Sequence, residues 1–379
     1  MKRILHIVSS WGNGGVERYI SSYIDEMNEY IFDILTIRNS EKESIFSKSI
    51  IEKGGKIFNL PQMNGNIFKR TNGRINALRI FLESNKYDVV HINAGTADAF
   101  ILAKIIKKEY SEIKVVMHCH GNDVEAPNKI LKKLFHETCK KIYGDYVDYC
   151  IGVSEITLSW MFKDKVLKNV PHCIFNCGID IDKFEFNEQS RSNIRKKLNM
   201  ENIFVIGTIG RFTEQKNPFY TIKIIKEISK IDNNFKFLWV GDGKLIEEIK
   251  YNAKKMGIYN KIIFYGLSKN AEELLSAMDL FILPSYFEGN PIVGIEAQAN
   301  GLHCIFSDTI TKEVKITERV DFMSIDKKEK EWAKRIVFYK NISVRKNNNI
   351  KKEIREHGCD MKENAQKLMN IYKLLVEGE

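Results

Sequence analysis

Short, solid apolar runs recur along the chain, separated by stretches whose apolar residues fall three and four apart. In the first half the runs are ILHIVSS (4–10), FDILTI (32–37), YDVVHIN (87–93), IKVVMHCH (113–120) and DYCIGVS (148–154). Between them lie VERYISSYIDEM (16–27), INALRIFLE (75–83), DAFILAKIIKK (98–108) and NKILKKLFHETCKKIY (128–143). A strand buried on both faces reads as a continuous apolar run, and amphipathic helices between such strands cover a parallel sheet. The alternation pauses over 172–202 and then restarts. FVIGTIG (204–210), a helix from Pro218, FKFLWVG (235–241), a helix near 244–256, KIIFYG (261–266), AEELLSAM (271–278) and LFILPS (280–285) follow in turn. The pattern predicts two α/β domains, 1–178 and 179–360, and a terminal helix within 361–379. On that helix Met361, Ala365, Leu368, Met369, Tyr372 and Leu375 share a face that needs something to pack on.

The chain has 379 residues, 44% of them hydrophobic, enough for two full cores. Its net charge of +10 suggests an anionic partner. Seven scattered cysteines without a C-x-x-C pair read as reduced thiols of a cytoplasmic protein. The opening MKRILHIVSSW alternates like a first strand rather than a signal peptide, and no apolar run reaches the roughly 18 residues of a membrane helix.

Chemistry-bearing residues collect where the apolar runs end. In FEGNPIVGIEAQANG (287–301), Asn290 reads as an N-cap, Pro291 as the first helical residue and Asn300-Gly301 as the stop. The predicted helix starts beyond the carboxyl end of a parallel strand, where open α/β sheets bind ligands, and its N-terminus suits a phosphate. Glu288 precedes it and Glu296 lies in its second turn, acceptors for sugar hydroxyls. In GRFTEQKNP (210–218), Gly210 ends a strand, Arg211 and Lys216 lie in the loop, and Asn217-Pro218 repeats the cap-then-proline start. Two cations beside a helix N-terminus make a diphosphate clamp. WGNGGVE (11–17) offers Gly14 and Gly15 for close backbone approach. Neither this loop nor VGDGKLI (240–246) completes a dinucleotide fingerprint, because Glu17 and Ile246 stand where the third glycine belongs. An NAD enzyme is therefore disfavoured.

Three further features have bland and sharp readings. His120, in HCHGND (118–123), sits where it can reach a cleft and donate to a substrate hydroxyl; His118, Cys119 and His120 make a poor metal cluster because neighbours on a strand point to opposite faces. Asp180 and Asp182 in GIDIDKF read as a turn or cap rather than a metal pair. The helix 128–143 carries Ile130, Leu134, Phe135 and Ile142 on one face with Lys132, Lys133, Lys140 and Lys141 beside them. It either faces a core or lies on an anionic membrane.

Taken in order, Gly-Gly-x-Glu, Gly-Arg-Phe…Lys-Asn, Gly-Asp-Gly and Glu-Gly-Asn-Pro…Glu-Ala-Gln-Ala-x-Gly resemble glycosyltransferase family 4, retaining enzymes of GT-B fold. The likeness is strongest to capsular and exopolysaccharide-type bacterial members, in NCGIDIDKFEFN (176–187), VIGTIGRFTEQKNP (205–218) and SDTITKEV (307–314). The resemblance implies two Rossmann-like domains facing across a cleft, the first binding the acceptor and the second the nucleotide sugar, with the terminal helix crossing back to the first. It implies that Arg211 and Lys216 hold the diphosphate, with Gly210 beside them. Glu288 meets the donor sugar and Glu296 the ribose. Backbone around Gly289, Asn290, Pro291 and Ile292 meets the phosphate, Gly14 and Gly15 shape the donor–acceptor junction, and His120 touches the transferred sugar. Three positions depart from the family pattern: Asn93, where many members have His, Cys177, where Asn is usual, and Asn290, where a bulky residue is common. The implied activity is transfer of a sugar from a nucleoside diphosphate sugar, UDP-linked by first choice, to a lipid-linked or oligosaccharide hydroxyl. It needs no metal or other cofactor and no nucleic acid, and it works in the cytoplasm with peripheral contact to the anionic inner membrane. A GT-B epimerase, a phosphorylase or a non-enzymatic polyanion binder are the alternatives.

Overall fold

The computed structural model describes residues 2–38, 44–121, 129–176, 178–288, 290–340, 342, 345 and 349–378. The chain divides into two compact units. One comprises Met1–Gly178 with Met361–Glu379, the other Ile179–Asp360. Each is an α/β unit built on a wholly parallel sheet, as the solid apolar runs require.

The first sheet has strands β1 (Lys2–Val8), β2 (Tyr30–Thr36), β3 (Ile57–Asn59), β4 (Val89–Ala94), β5 (Lys114–Cys119), β6 (Tyr149–Gly152) and β7 (His172–Ile174) in the order β3-β2-β1-β4-β5-β6-β7. Alternation along these strands sends Leu5, Ile7, Val90, Ile92, Val115 and Met117 into one core layer. The opposite face carries His6, His91, Asn93 and His118, all buried. The helix Met361–Glu377 covers that face with Tyr372, which is fully buried. The apolar stripe on the last helix thus has its packing partner.

The second sheet has β8 (Phe204–Ile209), β9 (Phe235–Val240), β10 (Ile262–Gly266), β11 (Leu280–Leu283), β12 (His303–Ser307) and β13 (Val320–Met323), in the order β10-β9-β8-β11-β12-β13. Phe204, Ile206, Phe237, Trp239, Leu280 and Ile282 meet Trp332 and Ile336 in its core. In both sheets the strand order reverses direction once, between β1 and β4 and between β8 and β11. The loops that leave such paired strands diverge and open a crevice at their carboxyl ends.

The segment 172–202, read as a pause, is structured. It holds β7 and a helix, Glu188–Lys197, whose Asn187 side chain accepts the Ser190 N–H at 2.8 Å. The helix escaped notice because EQSRSNIRKK has a single apolar residue, Ile194. The three-residue edge strands β3 and β7 are too short to leave a periodic pattern. Asp180 has the turn role of the bland reading, accepting the Lys183 N–H at 3.0 Å, whereas the Asp182 side chain pairs with Lys351 at 2.9 Å.

Candidate functional site

In the second unit the chemistry sits on the two loops that flank the β8/β11 switch point. The loop after β8 is Gly210–Asn217. A single 3-10 turn over Glu214–Lys216 leads to Asn217 in the left-handed region, φ 52°, and then to the helix Pro218–Ile231. The loop after β11 runs through Ser285 and Glu288 to the helix Ile292–Ala299. The two loops are tied together. Tyr286 N–H donates to the Gln215 carbonyl at 2.8 Å, and Lys216 Nζ meets Glu288 Oε1 at 2.6 Å. Glu288 Oε1 also accepts from Ser285 Oγ at 2.8 Å, and Gln215 Nε2 lies 3.5 Å from Oε2. The Lys216 and Glu288 side chains keep 18% and 9% of their exposure. The presumed diphosphate cation and the presumed sugar carboxylate therefore neutralise one another. Arg211 is exposed and makes no ion pair with a described residue.

The helix at 292 starts one residue later than its sequence suggests. Pro291 is the N-cap, extended at φ −72° and ψ 101°, and Asn290 lies outside the helix. The reason is visible in the turn: Gly294 N–H bonds the Pro291 carbonyl at 2.8 Å, so Ile292 and Val293 N–H groups lead the helix. Those leading amides and the positive helix end suit an anion. Asn290 Oδ1 and Thr213 Oγ1 are buried without a hydrogen-bond partner among the described residues. Each costs free energy until a donor or acceptor reaches it. Glu296 is 1% exposed, so it meets a ligand only at the floor of the site. Gly301 closes the helix at φ +76° after Asn300. Gly289 lies outside the described residues, as do Cys177 and the first residue, 128, of the basic helix.

The Gly-Asp-Gly turn after β9 is the part that sequence reasoning undervalued. Phe212 N–H donates to the Asp242 carbonyl at 2.9 Å, Gly210 N–H to Val240, and Leu245 N–H to Phe212. Gly241 has φ +137°, and a Cβ there would stand 2.0 Å from the Gly210 carbonyl oxygen. The turn is the backbone mate of the Arg211–Lys216 loop and sets its height. Gly210 in turn lets the Lys216 stem pass, since a Cβ would sit 3.2 Å from Lys216 Cε. The signal in the sequence was two glycines flanking one residue at a strand end.

In the first unit, Gly14 is the N-cap and Gly15 the first residue of the helix Gly15–Glu26. Glu17 Oε1 accepts the Gly12 N–H at 3.2 Å, and a Cβ on Gly14 would meet Glu17 Oε2 at 2.5 Å. Gly14 thus makes room for Glu17, whereas Gly15 faces open space. His120 follows β5. Its Nε2 lies 3.0 Å from Asn93 Oδ1, and its ring stacks on His118 with centroids 4.0 Å apart. Tyr19, one turn into the first helix, meets both rings edge-on at 5.4 Å. Burial pushes His120 down to about 4, and His6 to about 3 with help from the His120 charge; His91 and His118 are held well below the ordinary histidine range, chiefly by burial. Sequence reasoning singled out His120 and missed His6 and His91. The signal was present: His91-x-Asn93 and His118-x-His120 are polar pairs at period two inside apolar strands.

The helix Lys129–Tyr143 buries only His136 and Cys139. Ile130 is 85% exposed and Leu134 65%, with Leu131, Phe135 and Ile142 exposed as well. Its apolar face therefore does not pack on the core of the described residues. Among the described residues no helix is long and apolar enough to cross a membrane.

Residues 13–183 match the family model for Glycosyltransferase Family 4, and residues 190–357 that for Glycosyl transferases group 1. The "Putative glycosyltransferase EpsF" of Bacillus subtilis (strain 168) is 26% identical over 99% of this chain and 97% of its own. The Escherichia coli UDP-Gal:alpha-D-GlcNAc-diphosphoundecaprenol alpha-1,3-galactosyltransferase is 27% identical over 78% of this chain and 76% of its own. Among solved structures, HepE of Anabaena in complex with UDP superposes with a TM-score of 0.74 at 15% identity, covering 98% of this chain and 99% of that one.

Proposed function

We propose that this chain, which belongs to the family 4 glycosyltransferases and has their GT-B fold, moves a sugar from UDP to a hydroxyl of a lipid-linked saccharide with retention of anomeric configuration. The observation that carries the reading is the cradle at the β8/β11 switch point. There the loop that carries Arg211, Thr213 and Lys216 is tied to the loop that carries Glu288, Asn290 and the leading amides of the helix Ile292–Ala299, through Lys216 with Glu288 and Tyr286 with Gln215. The UDP named in the HepE complex and the lipid-linked acceptor named for the Escherichia coli relative support the choice of substrates.

In this reading Lys216 leaves Glu288 for the diphosphate and Arg211 closes on it from solvent. Glu288 Oε1, relieved of Lys216 but still held by Ser285, accepts from a sugar hydroxyl. The acceptor oxygen forms a bond to the anomeric carbon on the side from which the phosphate departs. The carbon–oxygen bond to the diphosphate breaks, and the acceptor's proton passes to the leaving phosphate oxygen. Stabilising the charge that grows on the diphosphate is the dominant contribution of such a site. Arg211 and Lys216 supply it, with no resident metal or organic cofactor.

The exposed apolar arc of the helix Lys129–Tyr143, with five lysines on that helix, would rest on the anionic membrane surface that holds a lipid-linked acceptor.

The test is transfer from a panel of nucleotide sugars to a lipid-linked acceptor, with product analysis for retained configuration, in the presence of EDTA. Wild-type protein is expected to use a UDP-sugar. Lys216→Ala should be slower by at least about 100-fold while unfolding cooperatively. Transfer by Lys216→Ala at the wild-type rate would overturn the assignment.

A further inference from the structure

We propose that Asn93 is a positioning residue that fixes His120 as a hydrogen-bond acceptor toward a sugar substrate. The inference rests on the reading of His120 as a sugar contact. It replaces the donor role expected from the sequence, and it selects a sugar that brings a hydroxyl or amide N–H, not a carboxylate, to that atom.

The register of the sheet makes the arrangement. His6 pairs with His91 across β1 and β4, and Asn93 with His118 across β4 and β5, so His6, His91, Asn93, His118 and His120 lie along one face. The hydrogen-bond directions there are forced. Asn93 Nδ2 lies 3.3 Å from the His91 backbone carbonyl. A carbonyl oxygen only accepts, so this contact fixes which end of the amide is nitrogen. Asn93 Oδ1 therefore faces His120 Nε2 at 3.0 Å, and the imidazole must donate. A neutral imidazole has one N–H, so Nδ1 of His120 carries the lone pair. No described residue hydrogen-bonds that atom.

The remainder of the network runs the same way. Asn93 Nδ2 also meets His6 Nδ1 at 3.1 Å, which leaves the His6 proton on Nε2, facing Tyr372 Oη at 3.5 Å. Tyr372 then donates to His91 Nδ1 at 2.7 Å, and His91 Nε2 to His118 Nδ1 at 3.2 Å. The opposite order would leave His6 with no proton on either nitrogen. His118 Nε2, buried and without a hydrogen-bond partner among the described residues, ends the chain. Burial keeps the rings neutral, which preserves the order. A lone pair on a neutral ring attracts a sugar O–H and repels a carboxylate.

The experiment labels histidines with 15N and records long-range proton–nitrogen correlations of the full chain at pH 7.5, with His120 assigned by its loss in His120→Gln. The Nε2–H tautomer is expected in wild-type protein and a mixture of tautomers in Asn93→Leu. An Nδ1–H tautomer or an imidazolium in wild-type protein overturns the inference, whatever the variant does. In the transfer assay Asn93→Leu should lose at least about 10-fold in kcat/KM, approaching His120→Gln, and Asn93→Ser serves if the leucine variant does not fold. Wild-type transfer in the Asn93 variant with loss in His120→Gln overturns the positioning role and leaves the transferase reading intact. Wild-type transfer in both removes His120 from the site, while the Lys216 variant still tests transfer itself. Use of uronic acid substrates at the wild-type rate of neutral sugars overturns the selection for a hydrogen-bonding sugar group.

Discussion

Replacing Lys216 by methionine keeps the reach of the side chain and removes its charge. In the free protein the change strips Glu288 of a partner 2.6 Å away, where the two side chains keep 18% and 9% exposure. Losing one partner of a fully buried pair costs about 3–5 kcal/mol, and of an exposed pair about 0–1 kcal/mol. Ser285 still donates to Glu288, so the expected cost falls between, about 2 kcal/mol. In a unit of this size that lowers Tm by about 4–8 °C. Glu288→Gln should cost about 1 kcal/mol, since the amide keeps an acceptor for Ser285 and Lys216 can reach water. The double variant should be no less stable than Lys216→Met, a coupling of about 1 kcal/mol. Nucleotide separates the roles further. UDP at 100 times its wild-type Kd adds about 2.7 kcal/mol to wild-type stability. Loss of a charge-assisted bond to phosphate, about 1.5–3 kcal/mol, should leave the methionine variant with about 1 kcal/mol of that protection or less. Thermal unfolding of the four proteins with and without UDP measures every quantity. Strict additivity of the two substitutions would show that the ion pair does not form in solution. Full UDP protection of Lys216→Met would remove Lys216 from the diphosphate.

The buried histidines make stability pH-dependent. Their folded values lie below the ordinary 6.5, so the unfolded chain binds more protons, and stability is complete above about pH 7 and falls as pH drops through 6.5 toward 4. Between pH 7.5 and 5.5 the loss should be about 1.4 kcal/mol per histidine, up to roughly 5.5 kcal/mol for the four. Urea unfolding at the two pH values checks this, and an unchanged stability would contradict a neutral cluster. Gly241→Ala should lose about 3 kcal/mol or fail to fold, because of its positive φ and the Gly210 oxygen 2.0 Å from the new Cβ. Gly15→Ala, with open space around it, should unfold at the wild-type temperature and yet transfer sugar more slowly. For the basic helix, Lys132→Glu with Lys133→Glu should weaken binding to anionic vesicles by at least about 30-fold. Equal sedimentation of wild type and variant with such vesicles would mean that the exposed face of this helix is not what meets lipid.

The sequence by itself determined the elements whose signal is local. Strands such as Phe204–Ile209 and Leu280–Leu283 are buried on both faces, so their apolar runs are unbroken and their class is plain. The helices after them start at Pro218 and Pro291, and Gly301 follows the stop of the second, because backbone geometry at a terminus is a matter of a few adjacent residues. Lys216 and Glu288 were legible as candidates for the same reason: each stands where a parallel strand ends. What required the tertiary structure is everything that depends on register or on chain segments far apart. Lys216 and Glu288 are 72 positions apart in the chain and meet only because β8 and β11 are neighbours. The Gly-Asp-Gly turn reveals its purpose only beside Gly210, whose carbonyl leaves no room for a Cβ. Helical periodicity showed that the face of 128–143 is apolar, but solvent exposure decided that nothing in the described protein covers it. The polar face of the first sheet is the clearest case. Period two places His91 with Asn93 and His118 with His120, yet only the pairing of three strands and the arrival of Tyr372 on the terminal helix join them into one hydrogen-bonded chain. A strand's own sequence says which residues share its face; which strand lies beside it, and in what register, is decided by the packing of the whole unit.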